Sequence, residues 1–187
     1  NMAVLVYIES EENKFKKTSY EALSYGKALA DKMGSKVSGL VINCSDTDGL
    51  KKYGADKIIT IDNPDFQKFS SKKYSHAIAE VIKSENSSVV ILSSSANSKF
   101  IGAHLSGITD AGYVSNVVGI PESISPFVIK RTCFTNKAFS STEMIDGLKI
   151  ISVSSNSFGM IENFNDSGVE SFNPEKVDSN QKIINIE

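Results

Sequence analysis

Long apolar runs are missing from this 187-residue chain. None approaches the roughly 20 residues that span a bilayer, so no membrane insertion is expected. A surplus of positive charge is missing too. Lys and Arg number 20 against 22 Asp and Glu, a net charge of −2, which excludes the basic stripe of a general nucleic-acid binder. Cysteine and histidine are scarce, two of each. Cys44 and Cys133 lie far apart and neither belongs to a C-x-x-C. With only His76 and His104 beside them, no ligand set of zinc-site spacing exists. The two thiols read as buried cysteines of a reducing compartment. No basic-then-apolar start reads as a signal peptide, and Asn1 before Met2 reads as a tag remnant. There is no internal repeat, no low-complexity tract, and no Walker A, G-x-G-x-x-G or Ser-Gly-Gly phosphate loop.

What remains is an ordinary globular composition, 40% hydrophobic and 22% charged, long enough for one domain or one domain with an appendage. The opening run Ala3 to Ile8 is continuously apolar, the mark of a strand covered on both faces. Thr18 and Glu21 have the spacing of a capping box. Behind them Ala22, Gly26, Leu29 and Met33 recur at helical spacing, up to Gly34 as a left-handed cap. Val37 to Ile42 and Lys57 to Ile61 read as strands, with a short helical piece at Gly49 to Tyr53. Tyr74, Ile78, Val81 and Ile82 give the next helix its apolar face. Val89 to Leu92 is the clearest buried strand, followed by a helix near Lys99 to Ile108 and a strand from Val114 to Ile120. After Pro126 no helix separates Phe127 to Phe134, Ala138 to Met144 and Lys149 to Ser154. These read as a small antiparallel meander. The fold class expected is α/β, a three-layer doubly wound, mostly parallel sheet with added antiparallel strands. The expected division is a domain over residues 2–162 and a polar arm or linker over 163–187, whose last apolar patch is Ile183 to Ile186.

In such a sheet ligands sit beyond the carboxyl ends of the strands, where the winding reverses. The loop after strand one offers Glu9, Glu11 and Glu12 and no glycine. A carboxylate about 4 Å from a phosphate costs on the order of 1 kcal/mol in water and about 4 at an effective dielectric near 20. The loop Ser93 to Lys99 is more permissive, since its hydroxyls and Lys99 can hold a phosphate or carboxylate. The plainer alternative is that Ser98 or Asn97 caps the next helix while Lys99 points into solvent. His76 reads as a surface or boundary residue. His104 lies among Gly102, Ala103, Ser106 and Gly107, small residues that suit close packing against a strand or a partner. Asp110 and Asp146 read as turn or cap residues. No nucleophile, base and oxyanion set assembles, so no catalytic, cofactor-binding or metal residue is expected.

Several stretches in sequence order resemble the N-terminal domain of the electron transfer flavoprotein alpha subunit. They are Val4-Leu5-Val6-Tyr7-Ile8-Glu9, Tyr53-Gly54-Ala55-Asp56-Lys57-Ile58-Ile59, Val89 to Ser95 with Lys99, and Thr109 to Val117. The hairpin Lys130 to Ala138 and the strand Ile150 to Phe158 complete the resemblance, which covers roughly residues 3–187. It departs at His104 and Ser154, where the family usually has arginine, at Asn116 for a frequent aspartate, and at Asn136 for the hairpin glycine. Contacts that the two arginines make are not carried over. Asn136 is tolerable because Asn accepts positive φ better than other non-glycine residues.

The resemblance implies an adenine nucleotide alpha hydrolase-like sheet with strand order 3-2-1-4-5. It implies an electron carrier subunit with no catalytic site of its own in this chain. With a beta subunit, such a protein passes electrons from flavin dehydrogenases, such as acyl-CoA dehydrogenases, to a quinone reductase or similar acceptor. FAD is then expected mainly in a second domain that would begin near Glu187, with none in this chain. The compartment implied is the bacterial cytoplasm, or the mitochondrial matrix in a eukaryote. The partner-interface candidates are Lys99, Gly102, His104, Phe134 and Asn136. A competing expectation is a small adenine-nucleotide-binding module of the universal-stress-protein kind, which needs a glycine-rich loop after strand four.

Overall fold

The computed structural model describes residues 2–135 and 137–175. The chain runs β1 (Ala3–Tyr7), a short hairpin of β2 (Ser10–Glu11) and β3 (Lys14–Phe15), α1 (Lys17–Met33) and β4 (Lys36–Ile42). A 3-10 turn (Asp48–Tyr53) leads to β5 (Lys57–Ile61), then α2 (Ser71–Glu85), β6 (Val89–Leu92), α3 (Ala96–Thr109) and β7 (Gly112–Val117). Strands alone follow: β8 (Ser123–Ile124), β9 (Phe127–Cys133), β10 (Ala138–Met144), β11 (Lys149–Val153) and β12 (Gly168–Ser171).

The main sheet has the order β10-β9-β7-β11-β6-β1-β4-β5-β12, with β8 joined through β9. Pleating sends alternate side chains to opposite faces. Val4, Val6 and Ile8 meet Leu23, Tyr25 and Leu29 of α1, while Leu5 and Tyr7 meet Ile78 and Val81 of α2 and Ile101 and Leu105 of α3. The three-layer α/β sandwich is therefore present, mostly parallel, with β9 and β10 antiparallel at one side.

Three expectations about the sheet need correction. The order 3-2-1-4-5 corresponds to β5-β4-β1-β6-β7, but β11 stands between β6 and β7. Lys149–Val153 is thus no meander strand; it runs parallel to both neighbours, with Ile150 beside Val90 and Tyr113. Ile150 and Ile151 face opposite layers, so the strand needs cover on both faces, which the sheet interior supplies. A parallel return needs a long crossover, usually a helix. Here β8, β9 and β10 are that crossover, so the signal that matters is the continuous apolar run and not the missing helix. The fifth strand also ends at Val117, short of Ile120, where Asn116 takes a positive φ of 56°.

The capping box expected at Thr18 and Glu21 does not form. α1 starts at Lys17 with Lys16 at the N-cap and no side chain capping it. Ser19 Oγ donates instead to the Glu9 carbonyl at 2.6 Å, which ties the start of α1 to the end of β1. Gly34 closes the helix in the left-handed conformation, as its position indicates.

Beyond Ser154 the chain crosses the outer side of α1. Asn163 N–H donates to the Lys52 carbonyl at 2.6 Å and Asn165 N–H to that of Lys51 at 2.9 Å. It then adds β12 to β5 as a parallel edge, Gly168 beside Lys57 through Ser171 beside Thr60. The first part of the arm expected over 163–187 is therefore docked on the domain. The Ile183 to Ile186 patch lies outside the described residues.

Gly26 lets α1 approach β1 this closely, because a methyl there would run into Val6 Cγ2. Ala is the better helix former by about 1 kcal/mol, yet the collision lies in the packed core. Gly26→Ala is expected to lose about 1–3 kcal/mol in urea unfolding; a stabilised variant would show that the helix does not need this approach.

Candidate functional site

The winding reverses at β1, which lies between β4 and β6. Beyond the carboxyl ends of β1 and β6, one side chain takes the centre. Glu9 is 5% exposed. Its Oε2 accepts from Ser95 Oγ at 2.6 Å and from Ser98 Oγ at 3.3 Å. Ser93 Oγ lies 3.0 Å from Ser98 Oγ and completes the row of hydroxyls. Oε1 faces the Lys16 ammonium at 3.2 Å, an ion pair without an aligned hydrogen bond. Lys16 also reaches Glu11, 3.2 Å away. Partial burial opposes its charge, but the attraction of the Glu11 and Glu9 carboxylates outweighs that and raises the lysine pKa.

Ser95 is the pivot of this arrangement. It sits at the N-cap of α3, and its hydroxyl accepts from the Ser98 N–H at 3.1 Å while donating to Glu9. The helix is thus capped by Ser95, not by Ser98 or Asn97 as the sequence suggests, and Lys99 is exposed. A helix N-terminus at a switch point is where nucleotide-binding sheets hold phosphate. Here a carboxylate of the protein already stands beside that terminus and takes up the local hydroxyl donors. A second anion placed there would meet a buried negative charge. The donor set does not fit the phosphates of a nucleotide or of FAD.

A second buried carboxylate lies on the other layer. Glu21, 4% exposed, accepts from the backbone N–H groups of Asn156 (2.9 Å), Phe158 (3.1 Å) and Gly159 (2.6 Å). Ser24 continues the line, accepting from Ile161 N–H at 3.0 Å. Together they lash the chain after β11 to α1. The cue in the sequence is Glu21 itself, one turn before Tyr25 and next to Ala22 on the apolar stripe of α1.

An open cleft of about 750 Å³ lies past the ends of β4 and β5, lined by Glu12, Asn13, Asn43, Cys44, Asp62 and Tyr74 among others. Burial pushes the Cys44 thiol pKa up. Among the described residues no group of three His, Cys, Asp or Glu is placed to hold a metal ion. No helix there is long and apolar enough to cross a membrane.

The partner-interface candidates separate. Gly102 is buried beneath the Tyr113 ring and so is a packing position, not a surface. Lys99 and His104 are exposed on α3, His104 Nδ1 lying 3.1 Å from Ser71 Oγ. Phe100 beside them is 63% exposed, and Phe134 on the β9–β10 hairpin is 80% exposed. Asn136 lies outside the described residues.

Glu9→Ala removes the acceptor of two hydroxyls and the partner of Lys16, and is expected to cost about 2 kcal/mol. The vacated space, with Ser95, Ser98 and Lys16 as donors, then suits an external anion. Millimolar phosphate should raise the unfolding temperature of the variant and leave the parent chain unchanged, as differential scanning fluorimetry will read. Equal response of both proteins would contradict the assignment of Glu9 as an internal anion.

A family model described as the electron transfer flavoprotein domain matches residues 4–180. The acryloyl-CoA reductase electron transfer subunit beta of Anaerotignum propionicum is 24% identical over 128 residues, which cover 67% of this chain and 35% of that protein. Protein FixB of Clostridium saccharobutylicum is 25% identical over 120 residues, 63% of this chain and 36% of that protein. The electron transfer flavoprotein subunit alpha of Bacillus subtilis is 26% identical over 139 residues, 73% of this chain and 42% of that protein. The chain thus spans well under half the length of these relatives. A match from residue 4 to residue 180, on an α/β sandwich of this kind, places the chain in the electron transfer flavoprotein domain family.

Proposed function

We propose that the chain is the N-terminal domain of an electron transfer flavoprotein alpha subunit, serving as scaffold and subunit interface. Members of this family are flavoproteins that carry electrons. In this reading the whole protein pairs with a beta subunit. It takes electrons from flavin dehydrogenases such as acyl-CoA dehydrogenases and delivers them to a quinone reductase or similar acceptor. FAD belongs mainly to a second domain outside this chain, and the present domain holds none and catalyses nothing itself. The observation that carries the proposal is Glu9, which fills the switch point with a buried carboxylate. The exposed Lys99, Phe100 and His104 on α3, with Phe134 on the hairpin, are the surface offered to the companion subunit. An adenine-nucleotide-binding module would need that same switch point open to phosphate, and no observation favours it.

The 187-residue chain, purified alone, is expected to be colourless and to leave the fluorescence of added FAD unquenched. Calorimetric titration with ATP and AMP should give no heat of binding. Stoichiometric flavin in the isolated chain would overturn the proposed division of labour, and micromolar nucleotide binding would favour the competing module.

A further inference from the structure

The cleft past the ends of β4 and β5 neighbours the switch point but is built differently. Its floor is apolar and belongs to the core beneath α2 and α3, through Ile42, Ile61, Phe66 and Tyr74. The Tyr74 hydroxyl donates to the Phe66 carbonyl at 2.6 Å, and the two rings meet edge to face at 5.6 Å. Three loops form the walls, and hydrogen bonds between them fix the opening. Asn43 Nδ2 donates to the Asn63 carbonyl and Asn43 Oδ1 accepts from the Asn63 N–H, each at 2.8 Å. Asn13 Oδ1 accepts from the Ser45 N–H at 3.2 Å and ties the β2–β3 turn to the same loop. A preformed space of about 750 Å³ over an apolar floor has the size and character of a small-molecule site.

The charges around it have one sign. Glu12 and Asp62 line the cleft, and among the described residues no lysine, arginine or histidine does so. Glu9 and Glu11 share Lys16, whereas neither Glu12 nor Asp62 forms an ion pair among the described residues. The turn itself gives no reason for a glutamate at position 12. Glu12 holds a φ of 50° at the first position of a two-residue hairpin loop, where Asn, Asp or Gly is the usual choice. An anion entering the cleft meets two carboxylates of its own sign. A cation meets those carboxylates and two aromatic rings, which attract positive charge through their faces.

We propose that this cleft binds a small organic cation, a primary amine carried on an apolar body. The ammonium sits at the rim with Glu12 and Asp62, and the body lies on Ile42, Ile61, Phe66 and Tyr74. Selectivity follows from that division. An anion of the same shape is repelled, an alcohol lacks the charge, and a bare diamine lacks the apolar contact. The cleft shares no lining residue with the α3 face or the β9–β10 hairpin, and the proposal does not rest on the electron-transfer reading.

Two-dimensional NMR of the 187-residue chain with a matched set of probes tests the proposal. Phenethylamine should shift the backbone amides of residues 43–47 and 62–67 saturably, with the millimolar affinity expected of so few atoms. Phenylethanol and putrescine should bind at least fivefold more weakly, and phenylpropionate should cause no saturable shift. Glu12→Gln and Asp62→Asn should each weaken phenethylamine about fivefold, as removal of one exposed charge partner does at most. Glu162→Gln, at an exposed position on the segment after β11, should leave the affinity unchanged. Added salt should weaken the amine and not the alcohol. No saturable shift at the cleft, equal binding of alcohol and amine, or an affinity that ignores both carboxylate variants would overturn it.

Discussion

Everything at the switch point of this sheet is arranged around one buried negative charge. The Glu9 carboxylate joins the end of β1 to the start of α3 through Ser95 and Ser98, and the Glu9 carbonyl holds the start of α1 through Ser19. Three elements therefore meet at a single residue. A buried charge is tolerated only when it is paired and hydrogen-bonded; Lys16 and the two hydroxyls meet that condition. The same stereochemistry that in a nucleotide-binding sheet receives an external phosphate is here satisfied from within. That substitution costs the fold its most obvious ligand site and gives it a ligand-independent junction.

Glu21 does on the outer layer what Glu9 does at the centre. Three amides of one short segment converge on its carboxylate, and bonds to a charged acceptor are worth roughly twice neutral ones. The segment after β11 would otherwise be a long loop with little to bury. Fixed at Glu21 and Ser24, it crosses α1 in a defined path and arrives at β5 in register to form β12. The far edge of the sheet is thus set by a glutamate in the first helix, more than a hundred residues earlier in the chain. A composition that reads as a polar arm is compatible with this, because the arm docks largely through its backbone and the polar side chains of Asn165 and Ser167, with Phe172 as its apolar contact.

The parts of the fold legible in sequence are those set by local periodicity. The continuous runs at β1, β4, β5 and β6 identify strands covered on both faces, and the apolar stripe with Gly26 and Gly34 identifies α1. The placement of β11 is not legible, because strand order depends on which neighbours complete the layers, a non-local matter. The run Ile150-Ile151 does carry the hint that it needs two-sided cover. The site is half legible. An acidic, glycine-free loop marks the crevice as hostile to phosphate, but that Glu9 itself occupies the place of the anion requires Ser95 and Ser98, 86 and 89 residues away along the chain. Glu21 has the spacing of a capping residue, yet that local pattern ignores the tertiary donors that claim its carboxylate. Gly102 has the neighbours of a small surface residue, but the space above it is taken by Tyr113.

The switch point of this domain is filled from inside, and the exterior around it is uneven. Apolar residues scattered singly over a surface require no explanation. Besides Met160, Ile161 and Phe164 on the segment after β11, two regions on regular elements differ: the α3 face around Phe100, and the β9–β10 hairpin with Phe134, Phe139 and Ile145. Neither helps the isolated fold, since the core is complete without them. Residues of this size retained on solvent-facing positions are expected where another surface covers them. Rigid elements carry both regions, a packed helix in one case and an unbroken pair of strands in the other, so little ordering entropy is lost when they are covered. Filling the ligand site and keeping rigid apolar surfaces are then two sides of one physical design, in which stability is made internal and recognition is moved to the edges.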